Sequence, residues 1–234
     1  MRNFTLILLL MSWTVITHAT HPFIPPFDAE YSVYVAGLPA GKGTRHLTYL
    51  PNGQVRFEMR SEATGLAALI GDNKIHEYSV FILENNRPRP LEYFYLHQRK
   101  SPKQYHILFD WEKKQAVSQT KDAWTLPLEE DVLDRMSYEL LFIHELQKGK
   151  QHFHYQILNK GKVKTYQPVF VGKEILSTEL GELETVKYER IAAQGERRTT
   201  LWCASKLHYL PVRVEHLEKG KTITFVLEKI NFRK

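Results

Sequence analysis

The last quarter of the chain, Lys173 to Ile230, constrains the fold more than any other stretch. It reads as an antiparallel meander. Leu183–Ile191, Thr199–Ala204, Leu210–Leu217 and Thr222–Ile230 are strand-length and rich in Val, Ile, Leu, Thr and aromatic residues, which fit a pleated, half-buried surface. Between them stand the turn signals Gln194-Gly195, Ser205-Lys206 and Glu218-Lys219-Gly220-Lys221. Short strands at intervals of about 8–12 residues predict a sandwich or barrel, completed by the rest of the chain.

Earlier segments carry the same pattern. Ala29–Ala36 places Ala29, Tyr31, Val33 and Val35 on one side, Gly37-Leu38-Pro39-Ala40-Gly41 turns, and Lys42–Leu50 returns. After Pro51-Asn52-Gly53 comes the clearest alternation, Gln54–Arg60, with Val55, Phe57 and Met59 on one face and charged or amide residues on the other. A period of two with one polar face predicts a strand covered on one side only. Lys74–Leu83, Leu91–Gln98 and Gln104–Trp111 continue as strands, with Asn85-Asn86 and Arg87-Pro88-Arg89-Pro90 as a turn. Gln115–Thr120 is a weaker strand, and His152–Leu158 and Lys162–Val171 lead into the meander across the turn at Lys160-Gly161.

Two segments break the strand pattern. Thr64–Ile70 reads as a short apolar helical turn or flap. From Asp131 to Gln147, apolar residues at Val132, Leu133, Met136, Leu140, Ile143 and Leu146 follow the helical period, so one principal helix is expected near 131–147. Asp131 or Asp134 can cap it, and Gly149 suits its end. Leu141 and Phe142 widen the apolar face, so the helix should be largely buried against a sheet.

The N-terminus belongs to another category. Met1-Arg2-Asn3, the apolar run Phe4 to Ile16 and Thr17-His18-Ala19 have the layout of a secretory signal peptide, residues 1–19, cleaved after Ala19. The run is too short to span a bilayer comfortably. No Cys follows it to accept a lipid, and the mature chain has no second apolar run of spanning length. His21 to Phe27, with Pro22, Pro25 and Pro26, is an extended lead-in. Loss of Arg2 takes the formal charge from +6 to +5. The basic residues are interleaved with acids, as in Glu112-Lys113-Lys114 and Glu196-Arg197-Arg198, which argues against nucleic-acid binding. Cys203 is the only cysteine, so no intramolecular disulfide can form and its expected role is packing. No linker is evident in 234 residues, and one β-rich domain, 20–234, is the economical reading.

The chemistry-bearing residues assemble into no known catalytic pattern. There are eleven histidines, and His152 and His154, two apart on an expected strand, would share a face. A catalytic zinc site would need a third ligand, such as His97 or His106, and nothing in the sequence makes these converge. No His-Glu-x-x-His, Gly-x-Ser-x-Gly, dinucleotide fingerprint or P-loop occurs. Ser101-Pro102-Lys103 has the wrong spacing for a Ser-x-x-Lys pair, and Glu129, Asp131 and Glu139 suit solvated or capping roles. No residue is therefore assigned as catalytic, cofactor-binding or metal-ligating. No cofactor is expected, and ligand contacts are not assigned.

Several landmarks resemble a known family. They are Tyr31-Ser32-Val33-Tyr34-Val35-Ala36-Gly37-Leu38-Pro39-Ala40-Gly41, Asp134-Arg135-Met136-Ser137-Tyr138-Glu139-Leu140, Gly172-Lys173-Glu174-Ile175-Leu176-Ser177-Thr178 with Leu180-Gly181-Glu182-Leu183-Glu184-Thr185, and Leu201-Trp202 with Tyr209-Leu210-Pro211-Val212-Arg213. Their order and spacing resemble the exported proteins grouped as domain-of-unknown-function family 3108, over nearly the whole mature chain. The family usually opens its helix with an Asp-Pro-Leu-Ser-like run, and Leu133-Asp134-Arg135-Met136-Ser137 lacks the proline. The resemblance implies a β-rich protein of a Gram-negative periplasm and transfers no catalytic residue. The landmarks also have structural readings. Gly37, Gly41 and Gly181 suit turns with positive φ, and Pro211 belongs at an edge or bulge.

The expected fold is mainly β: a curved antiparallel sheet or partly open β-barrel with one principal helix. Such a sheet can hold an apolar ligand beneath a helix. Tyr93-Phe94-Tyr95, Tyr105 to Trp111 and the flap at Leu66–Ile70 are candidate lining. The function expected is non-catalytic binding of a lipid-like or other envelope ligand. The alternative is a scaffold contacting another envelope protein, and a hydrolase ranks below both.

Overall fold

Alternation of apolar and polar residues builds most of the molecule. The computed structural model describes residues 23–70, 73–121, 123–191 and 197–233. The leader, its cleavage point after Ala19 and the turn at Gln194-Gly195 lie outside the described residues. The first half contributes β1 (Phe27–Val35), β2 (Leu38–Tyr49), β3 (Val55–Ala63), α1 (Leu66–Ile70), β4 (Lys74–Glu84), β5 (Arg87–Gln98), β6 (Lys103–Asp110), β7 (Gln115–Ser118) and β8 (Thr125–Pro127). A central insertion follows, with β9 (Val132–Leu133), α2 (Arg135–Gln147), β10 (Tyr155–Asn159) and β11 (Lys162–Tyr166). The chain ends in β12 (Val169–Thr178), β13 (Gly181–Ile191), β14 (Arg197–Ala204), β15 (Leu210–Glu218) and β16 (Lys221–Phe232).

Among the described residues, thirteen strands form one antiparallel sheet in the order β12-β13-β14-β15-β16-β1-β2-β3-β4-β5-β6-β7-β8. The two meanders join where β16 pairs with β1, from Phe27 opposite Phe232 to Val35 opposite Ile223. The sheet does not close; β8 and β12 are its edges. β9, β10 and β11 form a small separate sheet. This is the curved, partly open arrangement expected from the strand spacing.

Helix α2 packs against β3, β4, β5 and β10. Asp134 caps it: the carboxylate accepts from the backbone N–H groups of Met136 (2.7 Å) and Ser137 (2.9 Å), and Ser137 Oγ accepts from Asp134 N–H. That reciprocal box satisfies otherwise orphaned donors. Val132 and Leu133, expected in the helix, instead form β9 against Gln156 and Ile157. Leu140, Phe142 and Ile143 are fully buried, and Phe142 meets the rings of Phe153 and Tyr188 edge-on. At about 25 cal/mol per Å² of apolar burial, such side chains each stabilise the fold by roughly 1.5–3 kcal/mol.

Four expectations require correction. The turn expected over Gly37–Gly41 is confined to Ala36-Gly37, and β2 already begins at Leu38. Strand β5 begins at Arg87 rather than Leu91, with Pro88 and Pro90 inside it. The register shifts opposite them between Val80 and Phe81, a place where the ladder tolerates a missing N–H. Lys162–Val171 is two strands in two sheets, broken at Gln167-Pro168. Gly41 does not have positive φ, whereas Gly37 (81°) and Gly181 (90°) do. A Cβ at Gly41 would lie 2.3 Å from the Glu62 carbonyl oxygen, so glycine is required there for close strand approach. Pro211 sits at a register shift between Trp202 and Cys203, as a strand proline should.

Candidate ligand-binding site

The inner face of the sheet has two levels. In the lower one, Phe27, Leu47, Phe57, Phe81 and Ile107 are buried in the same hydrophobic cluster as Leu140 and Ile143 of α2. At the upper level the inward positions are Met59 of β3, Tyr95 of β5, Tyr105 of β6, Arg190 of β13, Thr199 of β14, His216 of β15 and Phe225 of β16, and every one keeps partial exposure. Strand register puts them on the same face: Met59 lies opposite Glu77, Glu77 opposite Tyr95, Tyr95 opposite Tyr105, and Arg190 opposite Thr199, which faces His216. The first turn of α2 reaches this face through Glu139, which pairs with Arg45, and Arg135, which approaches Glu77. The inner face is therefore filled at its lower level and partly open at its upper level, and this partly open upper part is the upper hollow.

Polar groups converge in this hollow. Arg45 of β2 pairs with Glu139 of α2 and lies 5.2 Å from the Tyr31 ring centroid. Glu77 accepts from Tyr93 Oη at 2.7 Å, with Arg135 Nε at 3.6 Å. Arg190 donates to Thr199 Oγ1 at 3.0 Å and stacks 4.0 Å from the Tyr166 ring centroid. Thr199 Oγ1 is also 3.0 Å from His216 Nδ1. Burial, then the charges of Arg135, Arg45 and Arg190, push the His216 pKa down to about 3. His216 is only half-buried by solvent contact.

The turn between β10 and β11 approaches the mouth of the hollow. Lys160 Nζ lies 5.4 Å from the Tyr105 ring centroid. Burial, then Arg135, Lys103 and Arg197, lower its pKa. Arg197 of β14 is itself paired with Glu218 of β15 at 2.6 Å.

The sequence candidates fall elsewhere or divide. His152 and His154 lie in irregular chain ahead of β10, not on a strand, and His154 Nδ1 is 2.9 Å from Gln167 Nε2. His97 sits beside Asn73, and His106 pairs with Glu92 at 2.9 Å on the outer face. Among the described residues no group of three or more His, Cys, Asp and Glu side chains could hold a metal ion. Cys203 is buried, and burial pushes its thiol pKa well up, which leaves it a packing residue. Of the expected aromatic lining, Tyr95 and Tyr105 reach the hollow, whereas Phe94 stacks on Tyr78 outside. The flap α1 exposes Leu66 and Leu69 to more than 80%. Arg45, Arg135, Arg190 and His216 were not anticipated. Their inward positions in an alternating strand, or at a helix start, were the available signal.

A depression of about 440 Å³ also lies on the outer face, lined by Lys42, Thr44, Arg60, Glu62, His76 and Leu96 among others. Its charges are locally matched: Glu58 accepts from Arg56 (3.0 Å) and Arg60 (2.7 Å) and contacts His76 (2.8 Å).

A family model described as a protein of unknown function, DUF3108, matches residues 30–227. Comparison with curated proteins finds no match. Among solved structures, the chain is similar to a β-barrel-like protein of domain of unknown function DUF1849 from Brucella abortus, at 8% identity and a TM-score of 0.59, over 90% of this chain and 99% of that one. A putative lipoprotein from Parabacteroides distasonis matches at 13% identity and a TM-score of 0.38, over 89% and 98% of the two chains. At such identities the first likeness speaks to the fold alone, and the second carries no argument.

Proposed function

The chain belongs to the DUF3108 family of proteins of unknown function, and on that footing we propose that it is an exported, non-catalytic envelope protein of a Gram-negative periplasm that binds a lipid-like ligand in the upper hollow. The observation carrying this reading is the change of level inside the sheet. The lower inward side chains are buried, whereas Met59, Tyr95, Tyr105 and Phe225 above them remain partly open. Partly open apolar and aromatic side chains facing inward are the usual lining of a ligand site. The leader-like first 19 residues support export. The test is native mass spectrometry with lipid extraction on the protein purified from the periplasm. A stoichiometric co-purified lipid is expected. A ligand-free mass that stays unchanged when envelope lipids are added would sink the reading for those lipids.

A scaffold role has its own supporting observation. Edge strand β12 exposes Val169 (63%), Phe170, Val171 and Ile175 (62%), and neighbouring β13 exposes Ile191. Exposed edges carrying apolar residues are open to pairing with another chain. Crosslinking in intact cells through a photoreactive residue at Val171 tests this. A discrete protein adduct favours the scaffold; its absence favours the ligand reading.

A further inference from the structure

In an antiparallel meander every second turn lies at the same end of the sheet. One end of this sheet gathers the β1–β2, β3–β4, β5–β6, β7–β8, β13–β14 and β15–β16 connections. Backbone contacts fix their common level. Ala36 N–H donates to the Thr222 carbonyl at 2.8 Å, and Thr64 N–H donates to the Ala40 carbonyl at 3.0 Å. Val35 lies opposite both Leu38 and Ile223. Ile223 faces His216, His216 faces Thr199, and Thr199 faces Arg190, so Ile191 stands one residue nearer that end.

This rim exposes apolar side chains. Among the described residues, Leu66 and Leu69 of α1 are the most exposed large apolar side chains, and Leu38 of the β1–β2 hairpin follows at 70%. Leu66 and Leu69, three apart on a helix, share one side of it. Val35, Ile191 and Ile223 are exposed at the same level. In the described turns at the other end, Leu180 alone is an exposed large apolar side chain.

The same rim is basic. Its acids are Glu62, Asp72, Asp122, Glu196 and Glu218, of which Asp72, Asp122 and Glu196 lie outside the described residues. Lys42, Lys74, Lys121, Arg197 and Arg198 match them in number, and Arg197 pairs with Glu218 at 2.6 Å. Left over are Arg99, Lys100 and Lys103 at the β5–β6 turn and Lys219 and Lys221 at the β15–β16 turn. No acid occurs between Glu92 and Asp110. The β10–β11 turn adds Lys160, whose Nζ lies 5.4 Å from the ring centroid of Tyr105, two residues along β6 from Lys103. The opposite end differs: Asp110 pairs with Lys113 at 3.0 Å, and Glu179 and Glu182 bound a turn without a basic residue.

Aliphatic tips on separate hairpins do not make the closely complementary face that a folded protein partner packs against. They suit a fluid interface, which each side chain enters by itself while the surrounding Lys and Arg are drawn to anionic lipid. We infer that this rim docks on an anionic membrane surface, with Leu38, Leu66 and Leu69 entering the head-group region and the surplus lysines and arginines facing lipid phosphates. The inference does not require the hollow to hold a ligand.

The experiment is vesicle flotation of the protein purified from the periplasm. One set of vesicles is phosphatidylcholine; the other is equal parts phosphatidylcholine and phosphatidylglycerol. Binding to the anionic set is expected to be on the order of tenfold tighter or more, and to weaken as salt rises. Leu66→Ser with Leu69→Ser should weaken it by roughly fivefold or more. Lys100→Glu with Lys219→Glu should remove the preference for the anionic set, and Leu180→Ser should change nothing. All these positions are exposed, and an unchanged urea midpoint confirms that each variant folds. Equal binding to both sets, binding to neither, or equal loss in Leu180→Ser would overturn the assignment. A photoreactive residue at Leu69 in intact cells should give lipid adducts; a discrete protein adduct in their place would overturn the membrane surface and assign the rim to a protein partner. Each of these failures leaves the ligand reading standing, because that reading is tested by co-purified lipid and not by vesicle binding.

Discussion

Asp134 and His216 are shifted in opposite directions by similar burial. For Asp134, burial raises the carboxyl pKa to about 6 from an ordinary 3.8, although hydrogen bonds from Ser79, Ser137 and Met136 pull it down. The folded chain holds that proton more tightly than the unfolded chain. The stabilisation is therefore complete below about pH 4 and is lost as pH rises through 6, on the order of 2–3 kcal/mol. For His216 the folded pKa is depressed from 6.5 to about 3, so its contribution is present above pH 6.5 and is lost as pH falls toward 3. Urea unfolding across pH 3.5–7 separates them. Relative to wild type, Asp134→Asn should gain stability as pH rises from 4 to 6, and His216→Gln should gain as pH falls over the same range. Parallel curves would contradict both assignments. A second test concerns the Arg45–Glu139 pair, whose side chains are only 8% and 17% exposed. Arg45→Met alone should cost about 3–5 kcal/mol by stranding a buried charge, and Arg45→Met with Glu139→Leu should recover most of it.

Helix α2 is the element on which the rest depends. It was legible from residue spacing, and its cap was one of two aspartates the sequence offered. Tertiary pairing chose Asp134, because Val132 and Leu133 are drawn into β9 against β10 and Ser79 Oγ of β4 donates to the Asp134 carboxylate at 2.6 Å. Asp134→Ala should cost about 2–4 kcal/mol, combining loss of the cap with an unpaired Ser79 hydroxyl. Phe142→Ala should cost about 3–5 kcal/mol, lowering the urea midpoint without changing the slope. Strand β12 behaves differently. Ile175→Lys on its exposed face should change stability by no more than about 0.5 kcal/mol. A larger loss would mean that this edge is covered in the protein as purified.

In the molecule as a whole, the sheet closes its centre last in sequence. β16 lies between β15 and β1, so Phe27 meets Phe232 only when both chain ends are in place. Loop-closure entropy has to be met before such distant contacts contribute. A chain ending before Lys221 should lose cooperative unfolding and expose the inner faces of β1 and β15, seen as dye binding and a broad urea transition. Retained two-state unfolding would show that the halves are independent.

Local pattern was enough for most of the strands, for turns such as Pro51-Asn52-Gly53, for the body of the capped helix and for the antiparallel class. Alternation and 3.6-residue spacing are properties of neighbouring residues, so they are visible in one dimension. β5 was misjudged at its start because a bulge in β4 accommodates Pro88 and Pro90, and the bulge is a property of two strands. His152 and His154, expected on a strand, lie in irregular chain ahead of β10, so the period of two does not put them on one face. The hollow was invisible for a stronger reason. Arg45, Arg135, Arg190 and His216 are far apart in sequence and unremarkable in type, and only strand pairing and the packing of α2 across the sheet bring them to its inner side.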